Sequence, residues 1–182
     1  MIQKKILRKR YYYLRKKKYY EIDQEFFFPL IKLIRTKFKK KNLNLALYYP
    51  SNFELNVLKF LEYDYMKNKN ILLPVIKRKN MNFYTWKKNQ TLFVNQFGML
   101  EPEKTKKKIP NLMLVPILVF DKHKHRLGYG KGFYDRYLNK YLKKFNNILT
   151  VGIAFSFQKY HKLPKDKNDI KLNYILTEKG IY

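Results

Sequence analysis

The sequence contains no cysteine, which excludes a disulfide-stapled secreted module and any Cys-ligated zinc site. Acidic residues are scarce: 13 Asp and Glu stand against 41 Lys and Arg, a formal net charge of +28. Long apolar runs are missing too. The longest, residues 112–120, has about half the roughly 18–20 residues of a membrane span and contains Pro116. The basic N-terminal segment carries no apolar stretch and no Ser, so neither a signal peptide nor a transit peptide is readable; a cytoplasmic location without membrane association is expected. No internal repeat and no Gly/Ser- or Pro-rich linker divides the chain. At roughly 100–200 residues per domain, a single domain over residues 1–182 is expected.

What is present argues for a folded chain. With 46% hydrophobic and 18% aromatic residues, there is enough apolar surface to offset chain entropy despite the charge. A large positive excess is the footprint of phosphate-backbone binding. Here, however, only seven of the basic residues are Arg, and Lys, Asn, Ile, Phe and Tyr are abundant together. That set is encoded by A/T-only codons, so nucleotide bias explains the lysines without a nucleic-acid partner.

The periodicity predicts a first helix over residues 4–20, with Leu7, Tyr11, Leu14 and Lys18 on one face. A second follows around Phe27, Leu30, Ile31, Ile34 and Phe38, with Asp23 as candidate N-cap and Pro29 either starting or breaking it. Strands are predicted over 43–49, 71–76, 81–86, 112–119 and 148–155, and amphipathic helices over 53–66 and 132–144. Runs such as LMLVPILVF and LTVGIAF read as strands buried on both faces. The alternation implies an α/β fold: a mostly parallel central sheet with helices on both faces, its ligand site beyond the strands' carboxyl ends.

The most informative stretch is 112–138, LMLVPILVFDKHKHRLGYGKGFYDRYL. A buried strand leads through a polar turn to Arg126, then to Gly128, Gly130 and Gly132 on alternate positions with Lys131 among them, then to a helix. Glycines let backbone N–H groups close on a phosphate, and a helix N-terminus adds partial positive charge at the same place. The spacing G-x-G-x-G is neither the dinucleotide fingerprint nor a P-loop. A glycine-rich turn that only reverses the chain is the plain alternative, but Arg126 and Lys131 bracket the glycines with charge-assisted donors. Asp135, in the first turn of the helix, is placed as a Mg²⁺ ligand beside bound phosphates, or else merely complements the helix dipole. His123 and His125 are expected as solvent-facing turn residues, and nothing near them forms a ligand set.

RLGYGKGFYDRYL preceded by LVPILVFD resembles the signature of the 5-formyltetrahydrofolate cyclo-ligase family. KKILR, YYPSNFE, LLPV, GMLEP, VGIAF followed by Gln158, and LPKDKNDIKLNYILTEKG occur in the family's order. The residue at 131 is Lys where many members carry Gly, and NQFGML before Glu101-Pro102 matches loosely. The resemblance implies conversion of 5-formyltetrahydrofolate and ATP to 5,10-methenyltetrahydrofolate, ADP and phosphate, with Mg²⁺. It implies that Lys4 and Arg8, one helical turn apart, join Arg126, Gly128, Gly130, Lys131 and Gly132 in holding ATP. Arg126 and Lys131 would also stabilise the transferred group. It implies that Tyr48, Tyr49, Glu54, Met99 and Tyr134 contact the folate, and that Asp135 and Asp169 take the Mg²⁺. Taken singly, Lys4 and Arg8 read as a solvated basic face, Glu54 and Asp169 as cap or turn acids, and the tyrosines and Met99 as core.

The implied chemistry, phosphorylation of the formyl oxygen followed by ring closure, needs positioning and charge neutralisation more than a nucleophile. A monomer acting on a folate, polyglutamylated forms included, is expected. The alternative from another class is a basic RNA- or ribosome-associated α/β protein whose loop binds backbone phosphate. Such a module should interleave aromatics and basics in an RNP-type motif, and none is present. A third reading keeps the nucleotide and changes the acceptor.

Overall fold

The computed structural model describes residues 2–38, 42–142, 144 and 148–182. Its helices are α1 (Ile2–Lys18), α2 (Phe28–Lys37) and α3 (Phe133–Leu142). The strands begin with β1 (Asn44–Ala46), β2 (Asn70–Lys77), β3 (Asn80–Thr85), β4 (Leu92–Val94), β5 (Leu100–Pro102) and β6 (Lys107–Lys108). They continue with β7 (Leu112–Pro116), β8 (Val119–Asp121), β9 (Arg126–Leu127), β10 (Leu149–Ile153), β11 (Lys159–Tyr160), β12 (Tyr174–Thr177) and β13 (Gly180–Ile181).

The large sheet runs β13-β12-β10-β7-β1-β2-β3-β6. It is parallel from β12 through β2 and antiparallel at both edges, so it is mixed around the expected parallel centre. The pairs β2–β3 and β12–β13 are antiparallel because each is joined by a tight return. Arg78 (φ 56) and Lys79 alone connect β2 to β3, a two-residue turn that only antiparallel neighbours can use.

Both faces of the centre are covered. Along β7, Leu112 and Leu114 pack with Leu30, Ile31 and Ile34 of α2, while Met113 and Val115 pack with Tyr137, Leu138 and Tyr141 of α3. This period-two split between two cores is why the strand reads as a continuous apolar run. A third cluster places Leu7 and Tyr11 of α1 on Leu118, Val119, Leu127 and Leu163.

The helix expected over 132–144 runs from Phe133 to Leu142; Lys143 lies outside the described residues. Four other expectations need correction. The buried stripe of α1 is Lys4, Leu7, Tyr11 and Arg15; Leu14 is half-buried and Lys18 exposed. Asp23 caps a 3₁₀ turn, Gln24–Phe27, that feeds into α2, where Pro29 sits at the start. The strand expected over 112–119 breaks after Pro116, which has no N–H to extend the ladder; β8 joins β9 and β11 in a separate small sheet. The carbonyls of Ile117 and Leu118 at the break are held by the buried Gln158 Nε2 at 2.8 and 2.9 Å. Finally, residues 53–66 form no α-helix but two 3₁₀ segments, Val57–Glu62 and Asp64–Met66. Asn52 and Phe53 carry positive φ and Tyr63 is extended, which interrupts an i→i−4 ladder at both ends.

Candidate active site

Beyond the carboxyl ends of β1 and β7 lies a cavity of about 460 Å³. Its lining includes every residue assigned from the sequence to ATP, folate or Mg²⁺: Lys4, Arg8, Tyr48, Tyr49, Glu54, Met99, Arg126, Gly128, Gly130, Lys131, Gly132, Tyr134, Asp135 and Asp169. The cavity lies at the edge of the sheet where α/β folds place their ligands.

One end is built around a buried carboxylate. Residues 51–54 make a tight turn closed by Glu54 N–H donating to Ser51 O at 2.9 Å, with Asn52 at φ 49 and Phe53 at φ 63. The turn swings Glu54 inward, where its Oε2 accepts from Ser51 N at 3.1 Å and Ser51 Oγ at 3.4 Å. Glu54 is therefore not a helix-terminal acid. Burial pushes its carboxyl up to about 7, against the opposing pull of Arg15 and Ser51. Burial and the nearby Glu54 push the Tyr48 hydroxyl well above its usual range, raise Tyr134, and lift Tyr129 to about 12, so all three phenols stay protonated. The Tyr48 hydroxyl donates to Leu55 O at 3.0 Å, pinning the turn to the sheet. Met81, Met99, Ile76 and Leu100 supply apolar wall.

The other end is the glycine loop between β9 and α3. Gly130 (φ 96) and Gly132 (φ 66) occupy the left-handed region, and a Cβ on Gly130 would lie 3.2 Å from the Arg8 guanidinium carbon. Arg8 Nε donates to Gly128 O at 2.9 Å, so α1 and the loop brace each other. Lys131 is exposed, its ammonium 5.4 Å from the Phe97 ring centre, and among the described residues it has no ion-pair partner. Phe97, at the tip of the β4–β5 hairpin, also meets Phe133.

The cations Arg126 and Lys4 are already paired. Arg126 is buried, donating Nη1 to Ile170 O at 2.6 Å and Nη2 to Asp135 Oδ1 at 2.9 Å. Lys4 Nζ sits between Asp166 Oδ2 at 2.7 Å and Asp169 Oδ2 at 2.5 Å. Burial lowers the Lys4 ammonium, but its bonds to the two aspartates outweigh this and raise it; the same contact holds the Asp166 carboxyl below its ordinary range. In this arrangement Lys4 is the counter-ion to two acids, and Arg126 braces the loop against Asp135. His123 is exposed and His125 half-buried in the turn that Asp121 gathers by accepting their backbone N–H groups; neither lines the cavity.

A cavity with a buried carboxylate among apolar walls at one end and a cationic glycine loop at the other suits a molecule that is flat and hydrogen-bonding at one end, together with a polyphosphate. The model of the 5-formyltetrahydrofolate cyclo-ligase family matches residues 3–178. The chain belongs to this family. A 5-formyltetrahydrofolate cyclo-ligase from Haemophilus influenzae is 32% identical over 142 residues, 74% of this chain and 75% of that protein. Its counterpart from Mycoplasma pneumoniae is 29% identical over 178 residues, 97% of this chain and 96% of that one. Among solved structures, the NMR structure of Aquifex aeolicus 5,10-methenyltetrahydrofolate synthetase superposes with a TM-score of 0.76 at 29% identity, covering 98% of this chain and 91% of that one. The Mycoplasma pneumoniae synthetase gives 0.68 at 25% identity, covering 95% and 97%.

Whether this family member's acids suit a divalent cation can be read from their oxygens. Among the described residues no three His, Cys, Asp or Glu side chains cluster as a protein-only cage. Asp135 and Asp169 each use one oxygen on a cation and a backbone N–H group, while the second oxygens, Asp135 Oδ2 and Asp169 Oδ1, take no hydrogen bond among the described residues. That fits Mg²⁺, which takes one or two carboxylates and completes its shell with water and phosphate oxygens.

Four contributors to this region escaped the sequence reading: Asp166, Tyr129, Phe97 and Arg15. Asp166 and Phe97 are ordinary surface residues in the sequence, and Tyr129 stands between two glycines that draw the attention. Arg15 is 1% exposed, buried on a helix where every other turn is basic. Its only local signal is the 4-7-11-15 stripe, which a polar-versus-apolar reading passes over.

Proposed function

We propose that the chain cyclises 5-formyltetrahydrofolate to 5,10-methenyltetrahydrofolate at the expense of ATP, releasing ADP and phosphate. The observation that carries this reading is the single cavity joining Glu54 to the glycine loop.

The pterin's amino group and ring N–H are adjacent donors, matched to the two oxygens of an ionised Glu54. The apolar walls with Tyr48, Tyr49, Met99 and Tyr134 hold the flat rings. ATP lies along Gly128, Gly130 and Gly132 with Arg8 and Lys131 as its cations. Asp135 and Asp169 would hold Mg²⁺, which when bound neutralises charge on phosphate oxygens.

A formamide oxygen is a poor leaving group. The formyl oxygen attacks the γ-phosphorus and the bond to the ADP oxygen breaks. The nitrogen at position 10 then adds to the activated carbon and loses its proton; the carbon–oxygen bond breaks and phosphate departs. Lys131 stabilises charge on the transferred phosphoryl group, and the protein contributes alignment rather than a covalent intermediate. Arg126 holds the loop and Asp135 in register. The proposal places this activity in the cytoplasm, in a monomer, with the basic surface attracting the anionic tails of polyglutamylated folates.

The test is the ATP- and Mg²⁺-dependent appearance of the near-ultraviolet absorbance of methenyltetrahydrofolate, run beside Lys131→Ala. A native signal lost in the variant supports the reading. No native signal, with ATP still bound, leaves a nucleotide-binding protein with another acceptor.

A further inference from the structure

Arg15 is the buried charge that the proposed chemistry leaves without a task. It stands behind the cavity wall and does not line it. Nη1 donates to Ile117 O at 3.1 Å, Nη2 donates to Asn52 O at 2.8 Å, and Nη2 also meets the Tyr129 hydroxyl. These three acceptors belong to three different walls: the break after β7, the turn that aims Glu54, and the middle of the glycine loop. Among the described residues Nε finds no hydrogen-bond partner, and no carboxylate lies within ion-pairing distance of the guanidinium. A buried arginine ordinarily sits on a carboxylate, because an uncompensated charge is costly away from water. Glu54 is the acid that feels this charge, at longer range.

We propose that Arg15 is a positioning residue for the folate end of the site: it ties the Glu54 turn to the glycine loop and faces Glu54 with a positive charge from behind the wall. This rests on Glu54 being the carboxylate that receives the pterin. The groups facing Glu54 are Arg15 from α1, Tyr48 after β1, Tyr129 from the glycine loop and Tyr134 from α3, besides its own Ser51. The phenols stay neutral, so Arg15 is the cation acting on Glu54. Recognition of two pterin donors requires the ionised carboxylate, so substrate capture rises with pH as Glu54 loses its proton. Arg15 holds that rise within the neutral range.

The experiment compares the native protein with Arg15→Met, Arg15→Lys and Tyr129→Phe. Two quantities are followed from about pH 5.5 to 9.5: kcat/KM for 5-formyltetrahydrofolate, and the titration of the Glu54 carboxyl by NMR without substrates. Loss of a nearby opposite charge moves a carboxyl by about one unit or more. Arg15→Met therefore moves both midpoints upward and lowers kcat/KM about fivefold at pH 7, with recovery above about pH 9. Arg15→Lys, which keeps the charge, and Tyr129→Phe, which keeps the arginine, leave the midpoints in place. A loss in Arg15→Met that is equal at every pH, or a Glu54 midpoint that does not move, overturns the proposal. Should Arg15→Met not fold, an Arg15→Lys midpoint at the native value with raised KM supports it, and a lysine midpoint displaced upward overturns it. If the native protein shows no turnover, the reaction reading falls, and the Glu54 titration together with binding of 5-formyltetrahydrofolate decides the role of Arg15.

Discussion

Replacing Glu54 by Gln should make the protein more stable and less active, and the structure sets both sizes. Burial has pushed the Glu54 carboxyl from an ordinary 4.5 up to about 7. A folded-state value above the unfolded one means that the folded chain binds the proton more tightly. The charge therefore costs nothing below about pH 4.5 and reaches its full cost above pH 7. A rise of that size corresponds to about 3 kcal/mol at the alkaline end. Glutamine removes that cost and keeps an acceptor for Ser51, but its NH₂ needs a partner in the same space, which takes back about 1 kcal/mol. About 2 kcal/mol remains, or roughly 4–8 °C in Tm for a chain of this size. Thermal unfolding of both proteins at about pH 8 and pH 5 measures it, with the gain expected at the first and shrinking toward zero at the second. Meanwhile the variant loses charge-assisted acceptance of two pterin donors, about 3–4 kcal/mol, so kcat/KM falls by two to three orders of magnitude. A variant no more stable than the native protein at pH 8, or a gain unchanged at pH 5, would refute this account of the buried carboxylate.

Lys131→Ala should lower kcat by about 10²–10³ with little change in KM for the folate, because the exposed ammonium acts on charge that develops on the phosphoryl group; an equal rise in KM alone would argue for simple binding. Gly130→Ala forces a side chain onto φ 96 and against Arg8 at 3.2 Å, so about 1–3 kcal/mol of strain and an ATP affinity reduced about tenfold are expected by denaturation and calorimetry. Unchanged ATP affinity would mean that Arg8 does not brace the loop. Gly152→Ala places a Cβ 2.2 Å from Ile117 Cδ1 and 2.7 Å from Leu172 Cδ1. It should cost about 1–3 kcal/mol in chemical denaturation, since β10 is packed to contact there, while leaving the charge arrangement of the site alone.

Some of this protein is legible locally. The runs around β7 and β10 announce strands buried on both faces because each successive side chain enters one of two cores. The glycines at 128, 130 and 132, with Lys131 between them, announce a backbone approach, and two of the three do adopt positive φ. The family's ordered motifs carried Glu54, Met99 and Asp169 to the same cavity, although singly each reads as a cap, a turn or a core residue.

Other features depend on distant partners. The segment 53–66 has helical spacing, yet the left-handed pair Asn52 and Phe53 and the extended Tyr63 leave only 3₁₀ turns, because the turn must aim Glu54 into the cavity. The family resemblance placed Lys4 beside Arg8 on the phosphates; in the fold Asp166 and Asp169, more than 160 residues later, pair with its charge. Arg15 carries the sharpest contrast. In sequence it is one basic residue in a basic helix; in the fold it is buried on acceptors 37, 102 and 114 residues away. The sequence by itself determined which segments could be strand, loop or helix, since those follow from side-chain pattern and backbone freedom. Which charges are paired, which stay free for phosphate and which face the buried carboxylate was decided only by tertiary structure, because an electrostatic role belongs to neighbours in space and not in sequence.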